Sequence, residues 1–232
     1  MQDIEIKRYI EMLNTNDYEE TILLRKINKN VDLAKVWEKE PELNDTMEIA
    51  ISSFHFFFIK DKKGNYVGAV LDMKRDLHWY IVKDKRKKGY LTKSLREAII
   101  PFIFSNEEIK RDIQRITIEH RIGEINYKNS KNVAESVGFK SVNESETEFE
   151  LSKDKFDWQH EDIEEKNGTI TKARFHELRK RLIHSYQQLI KISDELLMAY
   201  DDDKGLREVA EKVGYFKFRI DDIEWKINKE NQ

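Results

Sequence analysis

Arg86-Lys87-Lys88-Gly89-Tyr90-Leu91-Thr92 is the stretch on which the fold turns. Before it lies Leu77-His78-Trp79-Tyr80-Ile81-Val82, which reads as a strand; after it, the apolar pattern from about Leu91 to Ser105 predicts a helix. Strand, basic glycine-containing turn and helix, in that order, suit a phosphate. The first turn of a helix leaves backbone N–H groups unpaired, and the macrodipole favours an anion there. Gly89 lets the backbone bend and approach closely. Lys85, Arg86, Lys87 and Lys88 gather positive charge at the same point. A diphosphate is the natural guest. Taken by itself, the turn argues only for an anion at a helix start, because one short motif is a weak signal.

Working outward, a short helix is expected around Ile6 to Leu13, then a strand over Thr21–Ile27. Asn30 reads as the cap of a helix carrying Val31, Leu33, Ala34 and Trp37, ended by Pro41. Leu43 to Ser53 reads as a second helix. Strands follow over His55–Lys60 and Tyr66–Met73, joined by the turn signal Asp61-Lys62-Lys63-Gly64-Asn65. The run Phe56-Phe57-Phe58 predicts a sheet buried on both faces. Pro101 should kink or end the helix after the basic turn. Beyond it come a strand over Arg115–His120, a short helix over Ser130–Val137 stopped at Gly138-Phe139, and strands over Lys140–Val142 and Phe149–Leu151.

The segment Arg86 to Leu95, RKKGYLTKSL, resembles the arginine-x-x-glycine-x-glycine/alanine signature of the GNAT acetyltransferase superfamily. The block Asn129-Ser130-Lys131-Asn132-Val133-Ala134-Glu135-Ser136-Val137-Gly138-Phe139 is similar to one in the branch that includes ribosomal-protein N-terminal acetyltransferases. The order of elements over residues 18–152 resembles that family too. Three positions depart from its pattern: Leu91 stands at the second small residue, Tyr127 at the usual Asn, and Ala134 at the usual Tyr acid.

The resemblance implies an α+β fold with a mixed, mostly antiparallel central sheet flanked by helices. It implies acetyl-CoA as cosubstrate and direct attack by a primary amine: a protein N-terminus, a lysine, or a small molecule such as an aminoglycoside or polyamine, with the resemblance leaning slightly to a protein or peptide amine. Acetyl-CoA would lie where the strands Leu77–Val82 and Arg115–His120 splay apart. The backbone of Trp79, Tyr80, Ile81 and Val82 would take the pantetheine arm and polarise the thioester. Arg86, Lys87, Lys88, Gly89, Tyr90, Leu91 and Thr92 would hold the diphosphate, with Asn126 and Asn129 nearby. The attacking amine must lose a proton, and the candidate bases are Asp76, His78, Glu119 and His120. On a strand, Glu119 and His120 would point to opposite faces, so at most one enters the cleft. An alternative is a catalytically silent acyl-CoA-binding or adaptor protein acting through its tail.

Composition narrows the field. The charged fraction is 38% and the net charge −3, and neither half is strongly basic, so no general nucleic-acid footprint is expected. There are no cysteines, which excludes disulfides, thiolate zinc sites and a cysteine nucleophile. Asp201-Asp202-Asp203 lacks the spaced ligands of a calcium loop, and His176 and His184 lack acidic partners, so no metal is expected. The N-terminus carries no signal-peptide pattern, and the longest apolar run, Ala98 to Phe104, is far short of a membrane span, which predicts a cytoplasmic protein.

Residues 1–155 read as the acetyltransferase-like domain, 156–168 as a linker, and 169–232 as a helical hairpin. The hairpin's long apolar seam needs a partner surface. The first domain, or a second copy in a homodimer, is the favoured one.

Overall fold

The computed structural model describes residues 2–18, 21–39, 53–107, 109, 111–164 and 170–230. They form two compact units, Met1–Gly168 and Thr169–Gln232. The first opens with helix α1 (Asp3–Thr15) and a five-stranded antiparallel sheet in the order β1 (Ile22–Lys26), β2 (Val31–Val36), β3 (Phe54–Lys60), β4 (Tyr66–Asp72) and β5 (Leu77–Ile81). Then come α2 (Tyr90–Ser94), a π turn (Leu95–Ile99) and α3 (Ile100–Ser105). A second antiparallel sheet, ordered β6 (Ile113–Thr117), β8 (Glu148–Ser152), β7 (Lys140–Ser141), follows with α4 (Glu124–Val137) between β6 and β7. The architecture is α+β with two separate sheets rather than one continuous mixed sheet.

β3 explains why the five-stranded sheet is covered on both faces. Alternation sends Phe56 and Phe58 to one side, where they meet Ile6, Tyr9, Ile10 and Leu13 of α1. Phe57 and Ile59 go to the other side, where Phe57 meets Phe102 edge to face at 5.8 Å. All four side chains are fully buried. The second core is the larger: it also holds Leu91, Leu95 and Ile99 of the helical run, Ile116, Phe149 and Leu151 of the small sheet, and Ala134 and Val137 of α4.

Residues Val31–Val36 are a strand, not the helix that their apolar spacing suggested. The Asn28 side chain decides this locally. Its Oδ1 accepts the N–H groups of Asn30 at 2.8 Å and Val31 at 2.9 Å, closing a tight turn from β1 into β2. β2 then pairs on both edges, with β1 and β3, and Lys60 of β3 holds the buried Asp32 through both carboxylate oxygens at 2.8 Å. Pairing outweighs the weak propensity signal. The helix expected over Leu43–Ser53 lies outside the described residues, Ser53 apart.

The helix after the basic turn is continuous from Tyr90 to Ser105 but widens into the π turn just before Pro101. Proline has no N–H to offer the carbonyl four residues back, which here belongs to Glu97. That carbonyl accepts the Asp162 N–H at 2.8 Å instead. The Asp162 carbonyl in turn accepts the Asn28 amide at 2.8 Å, and the Glu164 N–H donates to the Ile27 carbonyl at 2.8 Å. Phe156, Trp158 and Ile163 pack into the larger core. Residues 156–164, expected as linker, are thus bonded onto the first unit.

The small sheet also differs from expectation in its limits. β6 stops at Thr117, Ile118 makes one more bond to the Thr147 carbonyl at 2.8 Å, and the chain turns through a 3-10 segment at His120–Ile122. α4 begins at Glu124, six residues earlier than expected, and ends as predicted at Gly138, whose φ is 110°. The second unit is a hairpin of α5 (Lys172–Tyr200) and α6 (Leu206–Glu230). Among the described residues, no helix is long and apolar enough to cross a membrane.

Candidate functional site

β5 pairs only with β4 among the described residues, so its other edge is open. The Val82 N–H donates to the Val67 carbonyl at 3.0 Å, which with the register fixes the alternation. Tyr80 and Val82 turn their backbone groups to β4; Trp79 and Ile81 turn theirs to the open edge. Of the four residues expected to meet a pantetheine arm, Tyr80 and Val82 are therefore committed to the ladder. Ile81 offers its N–H, and its carbonyl accepts Arg86 Nε at 2.9 Å.

The two sheets touch where β5 begins. Asp76 Oδ1 accepts the Leu77 N–H at 2.8 Å and the Thr117 N–H at 2.9 Å. Behind this point Arg111 reaches Asp72 at 2.9 Å and Gln114 Oε1 at 2.8 Å, while Gln114 Nε2 donates to the carbonyls of Arg75 at 3.1 Å and Arg115 at 2.8 Å. Gln114 is fully buried and Asp72 nearly so, and every one of these polar groups is satisfied. Beyond Asp76 no backbone hydrogen bond joins β5 to the chain of β6 among the described residues. The sheets are tied at an apex and the edge of β5 runs free from it.

That edge leads into the basic turn. A 3-10 segment, Lys83–Lys85, precedes Arg86; Lys87 and Gly89 take left-handed φ values of 59° and 77°. Nothing would meet a Cβ on Gly89 within 4 Å, so it is the backbone angle and not crowding that calls for glycine. The first intrahelical bond runs from the Lys93 N–H to the Gly89 carbonyl at 3.0 Å. The N–H groups of Tyr90, Leu91 and Thr92 have no helical acceptor. Leu91 packs its side chain in the larger core beside Leu95, so its bulk is not spent on the turn.

The four cations are not equivalent. Lys85 pairs with Asp61 at 3.1 Å, and Arg86 lies over the Tyr80 ring at 5.7 Å while holding the Ile81 carbonyl. Lys87 and Lys88 are exposed and make no ion pair among the described residues. The hydrogen bond that it donates to Asp61 holds the Lys85 ammonium above its ordinary pKa. Burial pushes the Asp61 carboxyl up, but bonds from Lys85 and from the N–H groups of Lys63 and Asn65 outweigh it and hold the pKa below the ordinary value. Asp61 thereby fastens the β3–β4 turn to the basic turn. No local signal in the sequence marks it for that role.

The candidate bases are dispersed. Asp76 is the apex tie. His78 leaves the cleft side altogether: its Nε2 lies 3.0 Å from Asp3 of α1. Glu119 and His120 follow the end of β6, so strand alternation does not apply to them. Glu119 pairs with Arg121. His120 lies against the Tyr127 ring, centroids 4.2 Å apart, with Nε2 at 3.0 Å from the Ser145 carbonyl. A carbonyl only accepts, so Nε2 carries the proton and the neutral ring keeps a lone pair on Nδ1. Asn126 and Asn129 are exposed on the first turns of α4, and Asn126 donates to the Ile122 carbonyl at 3.0 Å. Ala134 is fully buried. Among the described residues no group of His, Asp and Glu side chains is placed to hold a metal ion. No protein-family model matches the chain, and neither does any curated protein.

Proposed function

We propose that the first unit is an acetyl-CoA-dependent N-acetyltransferase with a primary amine, on a protein or peptide, as acceptor. One observation carries the reading: the open edge of β5 at Trp79 and Ile81 runs directly into the turn that presents the N–H groups of Tyr90, Leu91 and Thr92 beside Lys87 and Lys88. An extended amide-bearing arm would bond to the edge as an added strand, and a diphosphate would sit at the helix start. Trp79 and Ile81 are the backbone donors available to the pantetheine amides. His120, bare at Nδ1, and Glu119 are the groups left to take the proton of the attacking amine as its nitrogen bonds to the thioester carbon and the thiolate departs.

The test is thermal unfolding with and without acetyl-CoA, followed by product analysis over a panel of peptide and small amines. Binding raises the midpoint by mass action, with free CoA as competitor. Lys87→Glu with Lys88→Glu should weaken acetyl-CoA at least tenfold and leave unfolding in its absence unchanged. Absence of any shift with acetyl-CoA would sink the proposal. A second reading, an acyl-CoA-binding adaptor without transferase activity, is favoured by the engagement of Asp76 with two N–H groups and of His78 with Asp3. A midpoint shift with no product from any amine selects it.

A further inference from the structure

The second unit is a hairpin with one narrow seam. Ser193 and Ala210 are completely buried in it, and the Tyr186 ring lies so close to Gly214 that a Cβ there would stand 3.0 Å from it. Asp203 organises the turn: it bonds Ser193, and it accepts the N–H groups of Gly205 at 3.0 Å and Arg207 at 2.9 Å. Arg179 and Asp221, 3.3 Å apart, tie the helices at the other end.

Beyond that seam the hairpin covers little of its own apolar surface. Val209, Phe216 and Ile223 recur at seven-residue intervals on α6 and are 51, 56 and 51% exposed. A stripe of that period on a straight helix is matched by another helix lying alongside, over about 20 Å for the fifteen residues it spans. Two-helix units this size rarely persist without a third or fourth helix.

The charge pattern of α5 says which helices. Residues 172–186 hold Lys172, Arg174, Arg179, Lys180 and Arg181 against Glu177 alone. Residues 187–203 hold Asp194, Glu195 and the triplet Asp201–Asp203 against Lys191 alone. Some of these charges are paired within the hairpin, as Arg181 is to Glu177 and Asp194 to Arg207, yet each end keeps its excess. A segment basic where α5 begins and acidic through its last turns and the turn beyond complements its own copy laid antiparallel. Parallel placement would set like on like.

We propose that two copies of this chain associate through their C-terminal hairpins, antiparallel about a two-fold axis, as a four-helix bundle that buries the Val209–Phe216–Ile223 stripe. The reading is independent of acetyl-CoA binding. Sedimentation velocity of the full chain should give twice the 27.9 kDa protomer mass. Phe216→Glu with Ile223→Glu should return the protomer mass, with far-ultraviolet dichroism reporting whether the helices persist. A second pair of variants avoids the apolar stripe. Lys172→Glu with Lys180→Glu should weaken association at least tenfold, and adding Asp201→Lys with Asp202→Lys should restore it. A protomer mass for the unaltered chain overturns the proposal. So does a dimer indifferent to both sets of variants, or charge reversal without rescue. A protomer whose stripe amides are nonetheless protected from hydrogen exchange also overturns it, since the stripe would then be covered within one chain.

Discussion

The two units spend their apolar residues in opposite ways. In the first, β3 alone buries Phe56, Phe57, Phe58 and Ile59 completely, because both faces of its sheet are covered. In the second, 54 helical residues on α5 and α6 fully bury little beyond Phe175, Ser193 and Ala210 among those described. Sheet strands have two faces that a helix on each side can seal; a hairpin of two helices has a single line of contact. The first unit is built to stand as a core, and the second to present a surface.

The sharpest way to break that comparison is a matched pair of truncations. Phe57→Ala removes a ring at the contact with Phe102 and should cost the first unit about 3–5 kcal/mol in urea unfolding. Phe216→Ala removes a half-exposed ring and should cost the protomer under ~1 kcal/mol, its effect falling on association. Equal losses from the two would abolish the contrast.

Next in size is the tie between the sheets. Asp72→Ala takes the carboxylate from the Arg111 guanidinium, whose side chain is 14% exposed, and leaves it Gln114 Oε1 as partner. Breaking a buried pair from one side costs about 3–5 kcal/mol. The lower end is expected here, since Arg111 keeps Gln114 and a path to water. Because the tie sets the apex from which the β5 edge runs free, the proposed binding of acetyl-CoA should weaken as well, read by calorimetry at a temperature where the variant is folded. A loss of stability with unaltered affinity would separate the apex from the binding edge.

How far the sequence carried depended on whether the deciding contact was local. The strands from Phe54 to Ile81 were legible because period-two runs were punctuated by turn residues such as Asp61 and Gly64. The basic turn was legible for the same reason, as was the cap at Gly138. β2 was not: Val31, Leu33 and Ala34 fit a helix, and besides the local Asn28 turn it is pairing with β1 and with β3, the latter twenty-two to twenty-eight residues away, that makes them a strand. The tie from Thr117 to Asp76 likewise joins residues forty-one apart. At the site, the alternation that commits Tyr80 and Val82 to β4 needs the register of a partner strand. Much of the shortfall thus lies in features made by long-range pairing, with the Asn28 turn and the early start of α4 at Glu124 as local exceptions.

A smaller effect tests how the last segment of the first unit is held. Pro101→Ala supplies an N–H that competes with that of Asp162 for the Glu97 carbonyl. A neutral hydrogen bond is worth about 1 kcal/mol net, and the substitution both adds one within the helix and loosens another, so stability should change by less than ~1 kcal/mol. The Asp162 amide should nonetheless exchange markedly faster, since it loses its acceptor. Unchanged exchange at Asp162 would mean that Phe156 and Trp158, packed in the core, hold the segment without the bond.

The smallest expected effect is one of pH, and it concerns Asp61 and Lys85 beneath the basic turn. Asp61 has a lowered pKa in the folded chain, so its contribution is present above the unfolded carboxylate value of ~4 and is lost as pH falls through the folded value. Lys85 has a raised pKa, so its contribution is complete below the unfolded value of ~10.4 and is lost as pH rises through the folded one. The pair therefore supports the fold most between those limits. Asp61→Asn should flatten the acid flank of a plot of unfolding midpoint against pH and leave the alkaline flank shallower, because Lys85 no longer gains a partner. The pair lies at the surface on the lysine side, which screens it. An acid flank identical in the two proteins would assign the acid sensitivity of the first unit to groups other than Asp61.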